Sequence, residues 1–141
     1  IPPYWSEEMY EETPEPFALY VDVSGSMFSY WPFVCALSRH LDSLCSHYYQ
    51  FSEEVVEVDP GTKELATTGG TSYRSVADSI LTEEHTRLIV VTDNTESLGP
   101  YYLTKLRSQV RYLYLIQAPF HGNIPGGFNE LATKTSTLFK T

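Results

Sequence analysis

The chain has 141 residues, 42% of them hydrophobic and 19% charged, with a formal net charge of −9. That length and balance suit one globular domain with its own core, not two domains and not a disordered chain. No basic stripe is present, which excludes tight binding to nucleic-acid phosphates by this piece alone, and no apolar run reaches membrane-spanning length.

Residues 1–16 read as an acidic, proline-rich linker or arm. Pro2, Pro3, Pro14 and Pro16 block regular structure, while Tyr4, Trp5, Met9 and Tyr10 alternate with Glu7, Glu8, Glu11, Glu12 and Glu15. No signal peptide is visible, and a start at Ile1 suggests a piece cut from a longer protein. The domain proper is expected over 17–141. Phe17 to Val21 is a strand apolar on both faces, as a central parallel strand should be. Asp22-Val-Ser24-Gly-Ser26 follows as a tight loop, and Pro32 suits the first turn of a helix. Val34, Leu37, Leu41, Leu44 and Tyr48 then recur at helical spacing as one buried stripe. On that helix Cys35 and Cys45 would stand roughly 15 Å apart, too far for a disulfide, so both are expected as free thiols in a reducing setting.

Tyr48 to Phe51 and Val55 to Val58 read as a short strand pair, with Asp59-Pro60-Gly61 as a turn. Tyr73, Val76, Ala77, Ile80 and Leu81 define a second helix beginning just after Thr71. Leu88 to Thr92 is another buried strand, ending at Asp93. Leu103, Leu106 and Val110 mark a third helix, Tyr112 to Ile116 a last strand, and Phe128 to about Lys134 a final helix after Gly126-Gly127. The alternation predicts an α/β fold: a doubly wound, mainly parallel, Rossmann-like sheet in order 3-2-1-4-5, flanked by helices. In that order the first and fourth strands are neighbours where the winding reverses, so Asp22 and Asp93 meet at the switch point where such folds bind ligands.

Asp22, Ser24 and Ser26 are hard oxygen donors suited to magnesium or manganese. With Gly69-Gly70-Thr71 and strand-end Asp93 they resemble the three-part metal-ion-dependent adhesion site of von Willebrand factor A domains, a likeness covering most of the chain. The resemblance implies that Ser24, Ser26 and Thr71 hold the ion directly, and that Asp22 and Asp93 act mostly through bound waters. Neutral hydroxyls would leave the cation under-neutralised with one open position, filled by an aspartate or glutamate carboxylate of a protein partner. Gly25, Gly69 and Gly70 would let the backbone approach the ion. The short span is similar to compact prokaryotic versions at the carboxyl ends of larger intracellular proteins, some of which work beside AAA+ ATPases of the MoxR type or are joined to RNA-binding ring proteins. That likeness implies a cytoplasmic, non-enzymatic binding module.

The competing readings are ordinary turn and cap residues, a structural domain with a vestigial site, and a metal-dependent hydrolase. A hydrolase would lack any general base beyond the acids that hold the metal. Asn94 stands where many family members have glycine, and it tolerates left-handed backbone. Glu96 reads as a solvated loop acid, the alternative being a self-inhibiting ligand. His40 and His47 are placed on one face of the first helix, and His85 and His121 show no evident partner. Tyr101-Tyr102 stand on the side expected to carry the metal, and one reading makes them contact surface.

Overall fold

The computed structural model describes residues 16–60, 62, 64–93, 96–118 and 125–137. The arm expected over 1–16 (apart from Pro16), Gly61, Asn94 and His121 lie outside the described residues. Six strands form one sheet: β1 (Phe17–Asp22), β2 (Cys45–Phe51), β3 (Val55–Glu57), β4 (Arg87–Thr92), β5 (Tyr112–Gln117) and β6 (Lys134–Thr137). Their order is β3-β2-β1-β4-β5-β6. Only β2 with β3 is antiparallel; every other pair is parallel.

Among the described residues three α-helices cover the sheet: α1 (Trp31–Leu41), α2 (Tyr73–Thr82) and α3 (Pro100–Gln109). Because side chains alternate along a strand, β1 feeds both layers of core. Leu19 and Val21 pack with Val34 and Leu37 of α1, whereas Ala18 and Tyr20 pack with Val76 and Ile80 of α2 and Leu106 of α3. Pro32 and Pro100 each occupy a first-turn position, where the missing N–H has no intrahelical partner to lose.

The predicted order is thus extended by one strand, and the final helix is not there. Residues Phe128–Glu130 make a single 3-10 turn and β6 follows at the edge of the sheet. Phe128, Leu131 and Ala132 mimic helical spacing, yet they pack against the α2–α3 core from a turn. The hydrogen bond from Thr133 N to Leu113 O then draws Lys134–Thr137, with the β-branched Thr135 and Thr137, alongside β5.

A second correction concerns the first helix, which ends at Leu41. Leu44 is 50% exposed, and Cys45, His47 and Tyr48 belong to β2. Cys35 and Cys45 are not joined in a disulfide, but they sit on different elements, so the helical spacing argument does not apply. The apparent stripe arose because β2 begins in helical phase: Tyr48 meets α1 from the sheet, its hydroxyl 2.8 Å from Ser38 Oγ. No helix among the described residues is long and apolar enough to cross a membrane.

Candidate metal centre

Register brings the two aspartates together. Val21 pairs with Val91, which sets Asp22 beside Thr92 and leaves Asp93 immediately beyond the strand end. Asp22 is fully buried and Asp93 is 2% exposed. The Asp22 carboxylate accepts three hydrogen bonds: from Ser24 N at 2.9 Å and Ser24 Oγ at 2.5 Å on Oδ1, and from Thr92 Oγ1 at 2.7 Å on Oδ2. Behind Thr92 stands Tyr73, whose hydroxyl lies 2.6 Å from Thr92 Oγ1. Since Thr92 gives its proton to Asp22, Tyr73 donates to Thr92, and a buried chain runs from the start of α2 to Asp22.

Ser26 donates to Asp93 Oδ2, and the Ser24 and Ser26 hydroxyl oxygens are 3.4 Å apart. Asp93 Oδ1 is buried and accepts no hydrogen bond among the described residues. Two carboxylates are therefore buried side by side, and the ion pair of His47 with Glu57 lies elsewhere. Burial pushes the Asp22 carboxyl up to about 6, with repulsion from Asp93 adding to it and the Ser24 and Thr92 hydrogen bonds opposing it.

The arrangement fits a hard divalent cation. Each serine hydroxyl donates its proton to a carboxylate, so its oxygen lone pairs remain available while the neighbouring negative charge enriches them. The orphaned Asp93 Oδ1 supplies a further acceptor, which a cation or its bound water would satisfy. Among the described residues no group of three or more His, Cys, Asp or Glu could hold a metal. The oxygens gathered here belong to two carboxylates and two hydroxyls, a set that would suit magnesium or manganese better than zinc.

Thr71 is placed differently. Its loop is tied to the first loop by Gly25 N donating to Gly69 O at 3.4 Å, but Thr71 itself joins none of the hydrogen bonds of the cluster. The loop is pinned along the end of β2: Gln50 clasps Glu64 O and Ala66 N, Ser52 Oγ lies 2.7 Å from Thr67 Oγ1, and Ser52 O accepts from Ser72 N. Gly69 has a φ of +122°, whereas a side chain at Gly25 would meet nothing within 4 Å. Replacing Gly69 with alanine is expected to destabilise the chain by about 1–3 kcal/mol, while Gly25→Ala leaves thermal unfolding nearly unchanged.

Glu96 is half-buried and tied to the start of α2. Its Oε1 accepts from Tyr73 N at 3.0 Å, using a carboxylate to satisfy an orphan donor at the start of α2. Tyr102 gives its hydroxyl to Asp78 of α2, while Tyr101 is 65% exposed. Thr92, Tyr73, Gln50 and Ser52 are contributors that sequence reasoning passed over. A polar residue directly before the strand-end Asp93 was the available signal for Thr92; nothing local marks the other three. His85 does have partners, Tyr49 and His47, and burial followed by His47 holds it below the usual imidazole range. No protein-family model matches the chain, and no curated protein matches it closely enough to count as a relative.

Proposed function

We propose that this chain is a divalent-cation-dependent protein-recognition module of the von Willebrand A type. Magnesium or manganese is held by Ser24, Ser26, Asp22 and Asp93, with Thr71 brought in from the adjoining loop. A carboxylate from a protein partner, such as an AAA+ ATPase or another subunit of a cytoplasmic complex, completes the coordination. The observation that carries this reading is Asp93 Oδ1: a buried carboxylate oxygen with no partner among the described residues, close to the buried Asp22 carboxyl. Leaving such charge uncompensated is costly, and a bound cation removes the cost. The metal supplies an electropositive centre for an external carboxylate; the protein's own residues fix its donors and keep the hydroxyl protons turned toward the aspartates.

The test is calorimetric titration of chelator-treated protein with magnesium and with manganese. One equivalent of heat is expected, reduced at least about tenfold in affinity by Asp93→Asn or Ser26→Ala. No heat and no thermal stabilisation from either ion would leave a structural domain with a vestigial site as the better reading.

A further inference from the structure

At the opposite end of the sheet, where β1, β2 and β4 begin, a cleft of about 240 Å³ is lined by Ser46, His47, Glu83, His85 and Arg87 among others. His47 starts from β2 and His85 from the turn preceding β4, and their ring centres are 4.9 Å apart with a 53° tilt. Each ring is oriented by one nitrogen. His47 Nδ1 lies 2.9 Å from Glu57 Oε2, and His85 Nε2 lies 2.8 Å from Tyr49 Oη. In the tautomers that carry the proton on those two nitrogens, one of the two open to each ring, His47 Nε2 and His85 Nδ1 keep their lone pairs.

This is the arrangement of metal-ligating imidazoles, in which a carboxylate or hydroxyl on one nitrogen fixes the tautomer and sharpens the basicity of the other. Two imidazoles on one ion, at about 2.0–2.1 Å each and near-tetrahedral angles, hold their ring centres about 5 Å apart. The observed separation matches that. Among the described residues no third His, Cys, Asp or Glu completes a ligand group with them, so the other corners fall to water or to a side chain from outside.

We propose that His47 and His85 form a binding site for a late first-row divalent ion of the copper–zinc class, chemically separate from the oxygen-lined site at the other end of the sheet. Imidazole nitrogen selects such ions over magnesium, and copper(II), at the top of the affinity order, is the most sensitive probe.

Copper(II) is titrated into the chelator-treated full chain, followed by calorimetry and by electron paramagnetic resonance. One ion with hyperfine coupling to two nitrogens is expected. His47→Gln and His85→Gln should each weaken binding by about tenfold or more and leave one coupled nitrogen, and Glu57→Gln should weaken it less. His40→Gln should change nothing. A two-nitrogen spectrum that survives His47→Gln, or an affinity that does not fall, overturns the assignment. His47 is well exposed, with a 41% accessible side chain, so its substitution decides the matter even where His85→Gln disturbs folding.

Discussion

Replacing Tyr73 with alanine is expected to cost about 3–5 kcal/mol of stability. The side chain is fully buried at the first position of α2. Its ring stands edge-on to Phe51 at 6.2 Å and tilted against Phe128 at 4.8 Å, so it joins the sheet to the turn before β6. The cavity left by alanine lies between three elements and has little freedom to collapse. Tyr73→Phe separates the two contributions. It keeps the ring and removes the hydroxyl with its hydrogen bond to Thr92, for an expected loss of about 1–2 kcal/mol. Urea unfolding of the three proteins measures both. Equal losses from phenylalanine and alanine would mean that the polar chain, and not packing, dominates at this position.

Asp22→Asn is expected to stabilise the metal-free protein at pH 7.5 by about 2 kcal/mol, and to be near neutral at pH 4.5. The sign follows from the direction of the shift. Burial holds the Asp22 carboxyl at about 6 in the folded chain, above the roughly 3.9 of an unfolded aspartate. The folded state therefore binds more protons than the unfolded state between those values. Its stabilising contribution is complete below about pH 4 and is lost as pH rises through about 6. Asparagine retains the shape without the charge. Urea unfolding in chelator at the two pH values tests this, and a variant weaker than the parent at both would show that ionised Asp22 is no liability. With saturating magnesium the order should invert, because only the aspartate gains from the cation.

Much of the site could be read from residue order alone. A carboxylate and two hydroxyls on a loop after an apolar strand, and a second carboxylate ending a later apolar strand, have one natural meeting place in a doubly wound sheet. Asp22, Ser24, Ser26 and Asp93 do meet there, within hydrogen-bonding reach. The errors fell where periodicity is ambiguous. Leu44 and Tyr48 continue the phase of α1 although the chain has already turned into β2, and Phe128, Leu131 and Ala132 have helical spacing in a turn. A three- or four-residue interval between apolar side chains does not distinguish a helix from a turn that packs on both sides.

By itself the sequence determined the alternation of strands and helices, the two-faced burial of β1 and β4, and the oxygen-rich chemistry at their ends, because these depend on local hydrophobic pattern and residue type. Only the tertiary structure decided that Glu96 caps α2, that Tyr73 and Thr92 stand behind Asp22, and that His47 faces His85. Those contacts join residues far apart in the chain, and sheet register, which no local propensity encodes, sets their distances.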